Sequence, residues 1–370
     1  MRRVGLDRET SSGAVPRGVA RLGLVPGMTG VPLFVLFLEE AVAPFHFELR
    51  SLEKAETMRE RAGTACDTRA WKHVEAFFLA GGQRAHVLAL RLAGGDRLSA
   101  MLGVEAGIAR RTGIQCVRDW AEKADLLSIP QATELLSQED YTLFCQKVFE
   151  LAPETGMLFL VDLPKALDAV GAAGFTQKWF CSDAATFHPW FLVAGETVPP
   201  SAVLAAWLQK ADVEVGIQEM ASQMPLVEGV APVVELSPSE RRTLMEARIN
   251  TCLLHAGQAR VWGGYTLADQ ADWRARLIPL RRSSLKIRQA VEQICEPYVL
   301  EAAGDELPVW VENSLQNFLR SVRRIFHRDL QDPFTTSVKV VTQDGEERIL
   351  VNLQYALPHS LEKFSFSFVA

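Results

Sequence analysis

In the first half of the chain, segments with strand-like apolar patterns alternate with segments that have the apolar spacing of a helix. Residues 31–38 form a short apolar run, interrupted by Pro32, which is typical of a buried strand. Residues 68–79 have aromatic and apolar side chains at helical spacing, two glycines follow, and residues 86–92 return as a strand. Residues 157–161 form another short apolar run. Alternation of strands and helices across 31–193 predicts an α/β fold (mixed α+β), with mixed sheets flanked by helices.

The second half begins with a strong helix start. Ser237 is followed by Pro238 and, three residues on, by Glu240, which is the pattern of a capping box. We predict a helix from there to about Cys252 and place a domain boundary before it. The predicted organisation is an N-terminal arm (1–26), a middle α/β domain (27–236), a C-terminal domain (237–358) and a C-terminal arm strand (359–370).

A long amphipathic helix is predicted from Pro308 to Arg328. Seven apolar residues lie on one side of a helical wheel. The opposite side carries a basic stripe, made of Arg320, Arg323, Arg324 and Arg328. A second, more scattered group of basic residues precedes it: Arg281, Arg282, Lys286 and Arg288. Because the chain as a whole is acidic, the stripe predicts either a specific acidic partner or a solvated helix face.

The end of the chain reads as β-structure. Residues 337–342 and 349–355 predict a hairpin around an Asp-Gly turn. Residues 363–369 predict a final strand, in which three phenylalanines alternate with serines: Phe364, Phe366 and Phe368. A strand at a chain end can pair with a neighbouring subunit, although pairing within its own subunit is the simpler alternative.

Composition excludes several classes of protein. The net charge of −6 gives no general attraction for nucleic acid or anionic lipid. The six cysteines are widely spaced and form no CxxC pair, which indicates buried free thiols. The longest apolar run is too short to span a bilayer. We therefore expect a protein made and folded in the cytoplasm, with no nucleic-acid partner and no direct membrane insertion.

Motifs for catalysis and cofactor binding are missing from the sequence. There is no dinucleotide fingerprint, P-loop, HExxH or GxSxG, and the seven histidines are scattered. We therefore expect no enzyme activity, no cofactor and no metal. The remaining enzymatic alternative uses Asp162, which follows a predicted strand where α/β folds place catalytic carboxylates.

An ordered series of short motifs resembles the C-terminal domain of contractile tail sheath proteins, the family of myophage tails, R-type pyocins and phage-tail-like injection systems. The series runs through Asn250, Gly257, Val261-Trp262-Gly263, Thr266-Leu267, Trp273, Arg281-Arg282 and Trp310. Weaker similarities extend the resemblance over most of residues 30–368. The sequence departs from the family pattern at Tyr265, where an arginine is usual, and in the arm at 1–26.

The resemblance implies a structural subunit. Proteins of this family stack as six-subunit rings around an inner tube, exchange terminal strands between neighbours and contract without ATP or a cofactor. The implied partners are further copies of the chain, an inner tube protein, and baseplate and tail cap proteins. The basic stripe is then expected to face the tube and the phenylalanine strand a neighbouring subunit. The assembled sheath would be part of a phage tail or of a released phage-tail-like particle. An alternative is a sheath-like paralogue at the baseplate or tail end.

Overall fold

The apolar run at 31–38 forms a central strand of a large sheet. The computed structural model describes residues 29–39, 45–54, 68–92, 94–105, 111–219, 221, 224–269, 271–272, 275–298, 306–326, 330–343, 346–357 and 360–369. The predicted N-terminal arm at 1–26 lies outside these residues. Two compact units are present, one spanning Pro26–Leu285 and the other containing Lys286–Ala370.

Fourteen strands lie within the described residues and are numbered in chain order. They are β1 (Pro32–Leu38), β2 (Phe45–Leu49), β3 (Ala85–Arg91), β4 (Leu126–Ser128), β5 (Leu158–Val161), β6 (Ala184–Phe187), β7 (Phe191–Val193), β8 (Glu196–Val198), β9 (Val230–Pro232), β10 (Ile249–His255), β11 (Gln258–Trp262), β12 (Phe334–Gln343), β13 (Glu346–Leu357) and β14 (Ser360–Val369).

The α-helices are numbered in the same way. They are α1 (Thr68–Leu79), α2 (Arg97–Leu102), α3 (Ala132–Leu135), α4 (Gln138–Thr155), α5 (Ala169–Thr176), α6 (Pro200–Glu214), α7 (Pro238–Glu246), α8 (Ile278–Cys295) and α9 (Leu307–Ser321). The 3₁₀ segments include Gly113–Lys123 and Arg323–Ile325.

The unit spanning Pro26–Leu285 is built on an eight-stranded mixed sheet in the order β11-β10-β6-β5-β4-β1-β3-β2. Its interior pairs are parallel, whereas the outermost pairs, β10–β11 and β2–β3, are antiparallel. A small sheet, β8-β7-β9, belongs to the same unit. The mixed α/β architecture predicted from the sequence is confirmed.

Both faces of the large sheet are buried, which explains the continuous apolar run. Alternate residues of β1 enter different core clusters: Leu33, Val35 and Phe37 enter one, and Phe34, Leu36 and Leu38 the other. Successive side chains of a strand point to opposite faces. Since helices cover both faces, neither set can be polar.

The predicted helix from Ser237 to Cys252 is only half correct. Ser237 and Glu240 form the expected capping box, but the helix ends at Glu246 and β10 begins at Ile249. Arg248 lies between α7 and β10 and has a φ of 65°, a left-handed conformation. Its guanidinium donates to the carbonyls of Leu267 and Ala268, which holds the backbone in that turn.

The units do not divide where the sequence placed a domain boundary. We predicted a division between residues 236 and 237, but β10 pairs in parallel with β6 in the large sheet. The compact units divide instead between Leu285 and Lys286. Pairing between strands that are distant in sequence cannot be read from local composition, so a strong helix start does not by itself mark a domain.

Candidate assembly surfaces

Helix α9 buries the apolar side that the sequence predicted, but it is shorter than predicted. The α-helix ends at Ser321, and Arg323–Ile325 continue as a 3₁₀ turn. The buried apolar residues of this stretch are Leu307, Val311, Leu315, Phe318, Leu319, Val322, Ile325 and Phe326. A 3₁₀ turn has three residues per turn, so Val322 and Ile325 remain on one side after the helix has ended.

The basic stripe is therefore carried by two elements rather than one helix. Arg320 lies in the last turn of α9 and is exposed, whereas Arg323 and Arg324 lie in the 3₁₀ turn, half-buried and exposed respectively. Arg328 lies outside the described residues. The structure thus brings three of the four predicted arginines to the end of α9. It leaves their binding to a partner as a prediction.

Polar contacts order the surroundings of Arg320. Its guanidinium donates to Gln316 Oε1 at 3.2 Å. Gln316 Nε2 lies 3.4 Å from Glu312 Oε1 and 3.3 Å from the Thr336 hydroxyl, and that hydroxyl donates to Glu312 at 3.1 Å. Arg323 donates to the carbonyl of Leu330. Sequence reasoning missed Gln316 and Thr336, since no local pattern joins residues twenty positions apart on a helix and a strand.

The final strand of the chain is longer than predicted and pairs with β13 of the same chain. In the antiparallel register, Phe364 stands opposite Leu353, Phe366 opposite Val351 and Phe368 opposite Ile349. β14 is an outer strand of the sheet β12-β13-β14. Pairing within the chain is thus seen for this strand, and contact of the three phenylalanines with a neighbouring subunit stays a prediction.

Two residues of the second basic group, Arg281 and Arg282, are bound by carboxylates of the same chain. Arg282 forms two hydrogen bonds with the carboxylate of Asp212, at 2.8 and 2.6 Å, and both side chains are buried. Arg281 Nε donates to Asp183 at 2.6 Å, and Asp183 is also buried. Partners upstream in the sequence therefore bind both arginines within the first unit, where Arg282 is buried and Arg281 is partly exposed.

Asp162 occupies a closed polar network rather than an open cleft. Its two carboxylate oxygens accept from the backbone N–H and the hydroxyl of Ser201, at 2.8 and 2.6 Å, and the Ser128 hydroxyl donates to that of Ser201. Burial raises the pKa of Asp162 to about 7, although the bonds from Ser201 lower it. The side chain is 3% exposed. This geometry links β5 to the start of α6 and gives a substrate no access to the carboxylate.

Asn250 and Gly263, two residues of the motif series, have structural roles. Asn250 is fully buried, its amide donates to the carbonyls of Thr186 and Tyr265, and its oxygen accepts from Tyr265 N–H. Gly263 has a φ of +121°, and a Cβ there would lie 2.6 Å from Asn250 Oδ1. The asparagine and the glycine are thus required together, which accounts for the motif without any chemistry.

Metal sites and membrane-spanning helices are both absent from the described residues. Within the described residues, no cluster of three histidine, cysteine or acidic side chains is arranged to hold a metal ion. In the same part of the chain, no helix has the length and apolarity needed to cross a bilayer.

Comparison with known proteins identifies the fold. No family model matches the sequence, and no curated protein matches it at a significant level. Among solved structures, the contracted PVC sheath complex of an extracellular contractile injection system is 18% identical, with a TM-score of 0.66 over 89% of this chain and 88% of that chain. The contracted helical sheath of the anti-feeding prophage is 20% identical, with a TM-score of 0.66 over 92% and 93%.

A third similar structure comes from a different source. The sheath tail protein from Listeria innocua is 12% identical, with a TM-score of 0.63 over 96% of this chain and 98% of that one. The chain therefore has the fold of contractile sheath proteins over most of its length, as the motif series implied.

Proposed function

We propose that this protein is a sheath subunit of a contractile, phage-tail-like injection system. The observation that carries the proposal is the fold shared with two sheaths in their contracted state over 89% and 92% of the chain. The closed network around Asp162 also supports a structural role, because its buried carboxylate is bound by Ser201.

In this proposal, six subunits form a ring, and rings stack around an inner tube. Assembly takes place in the cytoplasm, and the finished sheath leaves the cell as part of a phage tail or a released particle. Baseplate and tail cap proteins bind its two ends. Contraction is a switch between two packings of the same subunits, so it needs no nucleotide or cofactor.

The arginines at the end of α9 are the proposed contact with the tube. Arg320 and Arg324 are exposed, and Arg323 is half-buried beside them; Arg328 completes the proposed set. Each exposed ion pair contributes only about 0–1 kcal/mol. Several such pairs per subunit, repeated in every ring, would hold the sheath on the tube and still allow it to slide during contraction.

The terminal strand is the proposed link between subunits. β14 lies at the edge of its sheet, and a strand at an edge presents backbone N–H and C=O groups to another chain. Phe364, Phe366 and Phe368 alternate along it and would supply apolar contacts to the neighbour.

Co-assembly with the tube protein of the same gene cluster tests the proposal. We expect the wild-type chain to form sheaths along the full length of tubes in electron micrographs, and Arg320→Glu/Arg324→Glu to abolish them. Lys339→Glu is the matched control, since Lys339 is also exposed but lies on β12. Unchanged assembly of the double variant would contradict the tube contact. Density confined to one end of the tube would indicate the baseplate or tail-end paralogue instead.

A further inference from the structure

The terminal strand β14 is paired along its whole length with a strand of its own chain. All ten of its residues, Ser360–Val369, stand opposite residues of β13 in one antiparallel register. β13 ends at Leu357, so only two residues connect the two strands. The edge of β13 to which a neighbour's β14 would bind in this register is therefore occupied by the chain's own strand.

A second copy of the chain can make the same pairing. Every copy carries the same β13 and the same β14, so the β14 of one subunit can replace that of its neighbour with an unchanged register. The backbone hydrogen bonds gained between subunits then equal in number those lost within each subunit. Addition to the outer edge of β14 would need another free strand with a register of its own, whereas exchange needs no new complementarity.

The balance between the two pairings depends on concentration, because their hydrogen bonds are alike. A short connection keeps β14 beside its own β13 at an effective concentration on the order of 1 mM, which is above that of a dilute protein in solution. Dilute subunits therefore keep β14 in their own sheet. Where neighbouring subunits are held side by side in a ring, the local concentration of the neighbour's strand rises, and exchange can compete.

We propose that the β13–β14 pairing is an autoinhibitory contact, which keeps the free subunit closed until β14 transfers to the β13 of a neighbouring subunit. The inference rests on the proposed function and specifies how the terminal strand reaches its neighbour. Because the pairs within the chain must break before new ones form, free subunits polymerise slowly. Assembly is fast only on a tube, which holds the neighbours together.

A disulfide between the two strands tests the release of β14. Asn352 on β13 stands opposite Ser365 on β14 and, at its other edge, opposite Ser337 on β12. Opposite Cα atoms of an antiparallel pair lie about 4.5–5.5 Å apart, a distance that a disulfide spans. Asn352→Cys/Ser365→Cys therefore locks β14 to its own sheet. Ser337→Cys/Asn352→Cys is the matched control, since it locks β12 and leaves β14 free to transfer.

Sheath formation on tubes is measured by sedimentation and electron microscopy, with and without a reducing agent. We expect the oxidised Asn352→Cys/Ser365→Cys chain to form at least about tenfold less sheath than the wild type, because its strand cannot pair with a neighbour. Reduction should restore assembly, and the control should assemble like the wild type in both states. Peptide mass spectrometry verifies each disulfide. Normal assembly of the oxidised, locked chain would overturn the autoinhibitory contact.

A chain that ends at residue 359, and so lacks β14, distinguishes failure of this inference from failure of the proposed function. If the truncated chain forms no sheaths and the oxidised, locked chain forms them normally, β14 links subunits without leaving its own sheet, and only the inference is wrong. If both form normal sheaths, the terminal strand is not a link between subunits. A wild-type chain that forms no sheaths on tubes overturns the sheath function and this inference with it.

Discussion

At the scale of single residues, buried ionisable groups show how this chain uses polarity inside its core. Asp162 and Asp212 are both carboxylates in the first unit, and burial raises the pKa of each. They differ in their partners, since Asp162 is bound by the hydroxyl and N–H of Ser201 and Asp212 by the guanidinium of Arg282. We therefore expect the stability contributed by Asp162 to depend on pH, and the stability contributed by Asp212 to depend on its partner Arg282.

Asp162 should make the first unit less stable as the pH rises. Its pKa is about 7 in the folded protein against an ordinary 3.8, so the folded state binds the proton more tightly. The stability contributed by protonation is complete below about pH 4 and is lost as the pH rises through about 7. Asp162→Asn keeps a neutral acceptor and should gain stability relative to wild type over this window, by on the order of 4 kcal/mol. Urea unfolding of both proteins from pH 4 to 8 measures the difference in their free energies of unfolding. A difference that does not change with pH would contradict the raised pKa of Asp162.

The ion pair between Arg282 and Asp212 gives a second prediction. Arg282→Met leaves a buried carboxylate without its cation and should cost about 3–5 kcal/mol. Adding Asp212→Leu should recover most of that loss, because no unpaired charge then remains. Arg288→Met is the control, since Arg288 pairs with Glu292 in a partly exposed position and should cost at most about 1 kcal/mol. Denaturant unfolding followed by tryptophan fluorescence compares the four proteins.

At the scale of elements, the edge strand β2 is held by an arrangement of aromatic rings. His46 Nε2 lies 3.0 Å from His86 Nδ1 on β3, and the His46 ring stacks on Trp120 with centroids 3.6 Å apart. Burial, His86 and Lys123 lower the pKa of His46 to about 4, against the opposing effect of Glu48. The strand is therefore best held while both imidazoles are neutral.

Acid should loosen this edge strand. The folded state disfavours protonated His46, so the stability it contributes is complete above about pH 6.5 and falls as the pH drops toward 4. Hydrogen-exchange protection of the β2 amides, corrected for the intrinsic exchange rate at each pH, should fall over this range in the wild-type chain and much less in His46→Gln, which can still donate to His86. His255→Gln, at an exposed position on β10, is the control. Equal loss of protection in all three proteins would mean that the titration of other groups loosens the edge strand.

Elements with a strong local signal were predictable from the sequence, and those that depend on distant partners were not. The capping box at Ser237 and the buried side of α9 follow from local spacing, and both are confirmed. The predicted ends of α7 and α9 were wrong, because both helices end earlier than predicted. After α7, the Arg248 side chain donates to the carbonyls of Leu267 and Ala268. After α9, Ile325 and Phe326 are buried. Neither set of contacts can be read from local spacing.

At the scale of the whole molecule, the terminal strand makes a prediction about polymerisation. A chain that ends at residue 359 lacks β14 but keeps every strand of the large sheet. We expect it to retain the thermal transition of the first unit and to form no sheaths on tubes, because neighbouring subunits would lose their strand link. A chain with Ser365→Ala and Ser367→Ala, which keeps the three phenylalanines, should assemble normally.

Size-exclusion chromatography and electron microscopy distinguish the outcomes of this truncation. Sheaths of normal length from the truncated chain would show that β14 serves only its own subunit, in the pairing with β13 seen here. Loss of the thermal transition of the first unit would instead show that the strand is needed for folding.

The sequence alone determined the fold class, the buried side of α9, the strand character of the terminal segment and the resemblance to contractile sheath proteins. These features depend on short-range periodicity or on ordered motifs, which can be recognised from residues that are close together in the sequence. Tertiary structure decided which charges are available: it buried Arg282 against Asp212, enclosed Asp162, and left Arg320 and Arg324 exposed. Whether a charged side chain is available to a binding partner depends on residues that are distant in the sequence. Those residues, and not the local pattern, set the free energy of burying the charge.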